Sequence, residues 1–175
     1  MSNKSSPLSP FALLSIPPNY LFDWDIVNKN LRSLQETLHP DLYPSGSHEC
    51  EIAQNMMSEV NNAYRVLKDP LLRAHVLFKL NGMTIPGSDA KTVTDPTIME
   101  EALEIKEQLE NANSHSKLNS LVKRLTSQQI ILEKKLDAAF KTSNETEVYS
   151  TYARLSFCIK TQTDACRLLT KKNED

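Results

Sequence analysis

Two apolar stripes at helical spacing, separated by His39-Pro40-Asp41, constrain the fold of this chain more than any other feature. The segment from Asp25 to Leu38 places Val27, Leu31, Leu34 and Leu38 at intervals of three and four residues, on one helix face. Pro40 cannot continue that helix, because it lacks the backbone N–H and its ring clashes with the preceding turn. A Pro/Gly/Ser loop follows, Tyr43-Pro44-Ser45-Gly46-Ser47. A second stripe then runs through Ile52, Met56, Val60, Ala63-Tyr64 and Leu67 and ends at Lys68-Asp69-Pro70. Helix, His-Pro-Asp bend, helix predicts an antiparallel hairpin with a polar tip.

The remaining segments also read as helices. Ser9-Pro10 caps a short one over Phe11 to Ser15, which Pro17-Pro18 ends. Asp23 caps the helix before the His-Pro-Asp bend, and the helix after it runs from about His48 to Lys68. Pro70 opens another, with Leu71, Ala74 and Leu77-Phe78 apolar and Asn81-Gly82 as its stop. Residues 8–82 thus form one unit. Residues 83–94 carry Pro, Gly, Ser, Asp and Thr without apolar periodicity and read as a linker. Asp95-Pro96 starts a second unit over 95–172, an antiparallel bundle of three helices broken near Asn111–Ser114 and Thr142–Asn144. Its second helix buries Leu118, Leu121-Val122, Leu125, Leu132, Leu136 and Phe140. Its third buries Val148, Tyr152, Leu155, Ile159, Cys166 and Leu169. The fold class is all-α; a glycine count of 3 and an abundance of Leu, Glu, Lys and Ala favour it over sheet.

Composition excludes several functions. A net charge of −2 gives no bulk attraction to nucleic acid. Apolar runs fall far short of the ~20 residues a membrane span needs, so neither a membrane span nor a secretory segment is expected. Met1 to Pro10 is Ser- and Pro-rich with one Lys and no Arg, unlike a mitochondrial presequence, and reads as a mobile tail. Cys50, Cys158 and Cys166 are odd in number and widely spaced, which argues for a reducing compartment and for buried small hydrophobes rather than disulfides or metal ligands. No phosphate-binding Gly loop, His-Glu-x-x-His or nucleophile motif occurs, so neither an enzymatic activity nor a cofactor is expected. His48, His75 and His115 stand singly, and His75 reads as a packed residue.

Two groups of residues remain for function. His39 offers a ring with one donor and one acceptor, and Asp41 an acceptor-only carboxylate suited to a cationic partner. In the first helix of the second unit, Ile98, Ala102, Ile105 and Leu109 make a stripe sufficient to bury it. Met99 and Leu103 form another stripe about 100° round the helix, bordered by Glu100, Glu104 and Glu107. In the last helix Phe157 falls with Tyr149 and Ala153, about 200° from Leu155 and its stripe. Apolar residues beyond what burial needs, rimmed by acids, suggest a contact surface for another protein. Two bland readings compete: an ordinary turn capped by Asp41, and a bundle with faces broad enough to bury Met99 and Phe157.

The hairpin resembles a J-domain, the module that stimulates ATP hydrolysis by DnaK-type chaperones. A narrower resemblance, to the HscB family of iron–sulfur cluster co-chaperones, rests on Asn61-Asn62-Ala63-Tyr64-Arg65-Val66-Leu67-Lys68-Asp69-Pro70-Leu71-Leu72-Arg73-Ala74 and Leu80-Asn81-Gly82. It continues through Asp95-Pro96, Ile98-Met99-Glu100 and Leu103-Glu104-Ile105, and covers roughly Phe11 to Leu169. The resemblance implies an L-shaped pairing of a J-domain (8–82) with a C-terminal three-helix domain (95–172). It implies that His39, Pro40 and Asp41, helped by Lys29 and Arg32, meet a DnaK/HscA-type chaperone ATPase; Arg65 and Arg73 would add to the basic field. It further implies that Ile98, Met99, Glu100, Leu103, Glu104, Glu107 and Phe157 bind an IscU-like iron–sulfur scaffold protein. The family usually has Leu where Ile98 stands and often an acid where Gln108 stands. The paired-cysteine zinc module of some eukaryotic members is absent, since the chain has no Cys-x-x-Cys, and no residues suited to holding the cluster are seen. The alternatives are a general J-domain co-chaperone for unfolded chains and an unrelated helical adaptor. A bacterial cytoplasm is the expected location, with the mitochondrial matrix as alternative.

Overall fold

A computed structural model describes residues 8–86 and 95–171, and among them every regular element is helical. The chain divides into two compact units, Met1–Met83 and Thr84–Asp175. Most of the 83–94 segment, and the tail before Leu8, lie outside the described residues.

The first unit contains α1 (Pro10–Leu13), α2 (Trp24–Thr37), α3 (His48–Lys68) and α4 (Pro70–Leu80). Each start has a chemical cause. The Ser9 hydroxyl accepts from the Ala12 N–H at 3.2 Å, Asp23 from Asp25 at 2.8 Å and Ser47 from Cys50 at 3.1 Å. Asp69 accepts from both Leu71 and Leu72, at 2.8 and 2.9 Å. α1 stops earlier than the sequence suggests. Ser15 adopts φ 52°, and Ile16 N–H turns back to the Phe11 carbonyl at 3.0 Å, which closes the helix end. Gly82, at φ 68°, closes α4 in the same way, with Met83 N–H on Phe78 O at 2.8 Å.

The core of this unit joins Phe11, Leu14, Tyr20, Val27, Leu67, Leu77 and Phe78, all fully buried. Ile52 and Met56 do not share in it: they continue the stripe in register but lie exposed on the first half of α3. Arg73 also departs from expectation. It is buried, with its guanidinium 4.4 Å from the Tyr20 ring centroid and 5.5 Å from that of Phe22. Its Nη1 donates to the Leu67 carbonyl at 3.3 Å. A cation held between two aromatic faces is a structural cross-brace, so Arg73 adds little to the surface field.

The second unit contains α5 (Pro96–Glu110), α6 (His115–Lys141) and α7 (Glu145–Lys171). Asp95, Ser114 and Asn144 cap them through Thr97, Lys117 and Glu147 N–H groups at 2.9, 3.2 and 3.2 Å. Ile98, Leu118, Leu125, Leu136, Leu155 and Cys158 form the dry centre. Cys166, placed on the buried stripe of α7 by its spacing, is exposed instead. It lies in the last part of the helix.

Candidate functional site

The first candidate is the His39-Pro40-Asp41 tip. α2 ends at Thr37, with Leu38 N–H on Leu34 O at 2.9 Å. The chain then makes a single 3₁₀ turn over Pro40–Leu42, a feature the periodicity did not signal. His39 opens that turn: its Nδ1 accepts from the Asp41 N–H at 3.3 Å. The same nitrogen lies 3.6 Å from Asp41 Oδ2. Leu42 and Tyr43 N–H groups bond back to His39 O and Pro40 O, each at 3.0 Å.

The turn is braced from both helices. Tyr43 Oη donates to Thr37 O at 3.2 Å. Behind it, the buried Cys50 approaches the Pro40 carbonyl through its thiol at 3.9 Å. Gln54 Nε2 in turn donates to Cys50 Sγ at 3.7 Å. These supports fix the loop while leaving the Asp41 side chain 88% exposed. Leu42, 63% exposed, stands beside it as an apolar neighbour that the sequence reading did not single out. Lys29 and Arg32 are exposed on α2 and line a shallow groove with Asp25, Asn28, Ser33 and Glu36. The groove therefore carries both signs of charge.

The second candidate lies on α5. Met99 is 45% and Leu103 58% exposed, with Glu100, Glu104 and Glu107 exposed around them. Ile98 is a different case. At 1% exposure it belongs to the core and offers no side-chain surface to a partner. Its position explains this: it begins the stripe that turns toward the other helices. Phe157 is half-buried, and the reason is local. Arg154 of α7 makes a bidentate pair with Glu101 of α5, at 2.7 and 3.1 Å, so this side of α7 faces α5 rather than solvent. The two helices run in the same direction because α6 returns between them. Glu101 therefore positions the α5 surface, a role the sequence reading missed. Gln108 is bonded to Arg124 of α6 and so lies at the α5–α6 seam.

No group of three or more His, Cys, Asp or Glu suited to a metal ion occurs among the described residues. None of the described helices is long and apolar enough to cross a membrane.

A braced His-Pro-Asp turn between two antiparallel helices, with a separate helical bundle, defines a two-unit helical protein of the J-domain class. Residues 94–165 match the family described as the HSCB C-terminal oligomerisation domain. The Co-chaperone protein HscB homolog of Vibrio vulnificus is 34% identical over 104 residues, 59% of this chain and 60% of that relative. The aligned stretch thus spans less than two thirds of the relative's length. Chaperone HscB from Vibrio cholerae superposes with a TM-score of 0.76 at 25% identity, covering 94% of this chain and 99% of the other. The human co-chaperone protein HscB gives 0.80 at 22% identity, covering 94% of this chain and 84% of the other. The Jac1 co-chaperone of Saccharomyces cerevisiae gives 0.73 at 20%, covering 95% of both. The chain is thus similar in fold to HscB-type co-chaperones over most of its length, and similar in sequence to them over its matched stretch.

Proposed function

We propose that this chain is a co-chaperone of iron–sulfur cluster assembly. Residues 8–82 act as a J-domain on a DnaK/HscA-type chaperone ATPase, and the bundle over 95–172 holds an IscU-like scaffold protein. The observation that carries this reading is the Asp41 carboxylate, almost wholly exposed at the end of a turn braced on both sides. A fixed backbone with an exposed carboxylate is suited to capture an arginine of a partner, because little ordering entropy is lost on docking. Lys29 and Arg32 steer the approach to an acidic surface, while Asp25 and Glu36 keep that attraction modest and salt-sensitive. The hydrolysis belongs to the partner. The loop accelerates it only by binding the hydrolysing conformation better than the resting one.

On the bundle, Met99 and Leu103 serve as the apolar anchors, with the α5 glutamates as a polar rim. Phe157 contributes its exposed edge. Carrying both contacts in one chain raises the effective concentration of the scaffold at the chaperone. The cytoplasm of a bacterium is the location that suits this role.

Two measurements test the proposal. Asp41→Asn should abolish stimulation of a DnaK-type ATPase while leaving the thermal melt unchanged; retained stimulation would sink the loop assignment. Met99→Ala with Leu103→Ala should weaken calorimetric binding to the scaffold by about 2–4 kcal/mol, in the range of interface anchors. Both residues are exposed, so the fold should not suffer, whereas Phe157→Ala would also disturb the α5–α7 seam. Undiminished binding by the double variant would move the scaffold contact elsewhere, and no binding by the parent would favour a general J-domain co-chaperone.

A further inference from the structure

The outward face of α6 has an unusual composition for a solvated helix surface. Lys117, Lys123, Arg124, Lys134, Lys135 and Lys141 are all exposed along it. The only acids on α6 are Glu133 and Asp137, and neither is exposed. Asp137 is buried and paired with Lys141 at 2.7 Å. Glu133 is half-buried and accepts from Gln129 at 2.8 Å. Apart from Lys141, whose partner is Asp137, no exposed acid on α6 offsets its cations in the way that alternating ion pairs offset them on an ordinary exposed helix. Among the described residues, no ion pair holds Lys123, Lys134 or Lys135.

In the middle of this face stand Ile130 and Ile131, 53% and 55% exposed. Positions 123, 127, 130, 134, 138 and 141 recur at three- and four-residue steps, so Ile130 and the lysines share one side of the helix. Ile131 lies about 100° round, between Arg124 and Lys135 on the one hand and Ser127 on the other. The result is a small apolar centre within a one-signed polar rim. That is the layout of a protein contact, with an anchor position surrounded by charges that select the partner.

We propose that the outward face of α6 docks an acidic protein segment carrying one or two large apolar side chains, a site separate from the Met99/Leu103 surface of α5. Charge fixes the sign of the occupant, and the isoleucines fix its second requirement. Nucleic acid would use the cations but leave the isoleucines wet. A membrane surface would need a broad apolar face, whereas here lysines flank the apolar residues on both sides. α5 of this chain has the opposite composition, with Glu100, Glu101, Glu104, Glu107 and Glu110 against a single Lys106. The two helices thus recruit partners of opposite charge.

The test uses the full chain and a synthetic peptide with two leucines flanked by glutamates, followed by amide chemical-shift mapping. The peptide should perturb Lys123 to Lys135. Affinity should fall about tenfold for Ile130→Ser/Ile131→Ser and for Lys134→Glu/Lys135→Glu, and should weaken with added salt. Both variants alter only exposed side chains, and their melts verify folding. Several results would overturn the proposal: equal binding of a leucine-free polyglutamate peptide, no loss in the serine variant, or preference for anionic phosphatidylglycerol vesicles. Concentration-dependent self-association that either variant abolishes would make a second copy the occupant and overturn it as well.

Discussion

Burial changes the chemistry of individual residues that look alike in the sequence. His75 sits half-buried on α4, and desolvation lowers its pKa below the ordinary 6.5. Asp69 opposes this shift and Lys79 adds to it. Between the folded value and 6.5, the unfolded chain therefore holds more protons than the folded one. Stability contributed by neutral His75 is present above pH 6.5, falls as the pH drops below it, and levels off beneath the folded value. His75→Gln should flatten that part of the stability–pH curve, as followed by urea unfolding; an unchanged slope would assign it to other groups. The thiols divide in the same manner. Cys158 is buried, and desolvation raises its pKa above 9.0, with Arg124 opposing. Cys166 is exposed. An aromatic disulfide reagent at about pH 8 should label Cys166 rapidly, with Cys50 and Cys158 reacting only after denaturation. Fast labelling that survives Cys166→Ser would contradict this.

At the scale of helices, the starts were legible and some of the ends were not. Serine and aspartate before a periodic segment announce an N-cap, and the structure uses Ser9, Asp23 and Asp95, the three read from the sequence, while Ser47, Asp69, Ser114 and Asn144 cap the other helices. Ends depend on a residue entering the left-handed region, which glycine signals and serine does not. Gly82 was readable for that reason; Ser15 and Ser143, both at φ 52°, were not. Ser143 ends α6, with Asn144 N–H on Ala139 O at 3.2 Å. Its Cβ makes that conformation strained, so Ser143→Gly should stabilise the chain by about 0.5–1 kcal/mol in thermal or urea unfolding. A loss of stability would mean that the serine hydroxyl is needed there. Periodicity misjudged Ile52, Met56 and Cys166 because a stripe marks which face is apolar, not how far along the helix a neighbour covers it. Periodicity did separate Ile98, on the buried stripe of α5, from Met99 on the exposed one; it was the resemblance that added Ile98 to the contact surface, and its burial removes it. The Glu101–Arg154 pair that sets the α5–α7 register joins residues far apart in the chain, so no local signal announced it.

At the scale of the whole molecule, the proposed division of labour needs both units in one chain. On that proposal the first would offer a braced carboxylate to an ATPase, and the second an acid-rimmed apolar surface to a scaffold protein. Neither task alone would distinguish the chain from a general J-domain protein or from a helical adaptor. Their coupling would, because tethering makes the second encounter intramolecular.

The most direct measurement is single-turnover ATP hydrolysis by a DnaK/HscA-type chaperone in the presence of an iron–sulfur scaffold protein. With the parent chain, scaffold and chain together should accelerate hydrolysis well beyond the sum of their separate effects. An equimolar mixture of the Asp41→Asn variant and the Met99→Ala/Leu103→Ala variant should not, since each molecule then carries only one working contact. Full acceleration by that mixture would show that the two contacts act independently, contradicting the account.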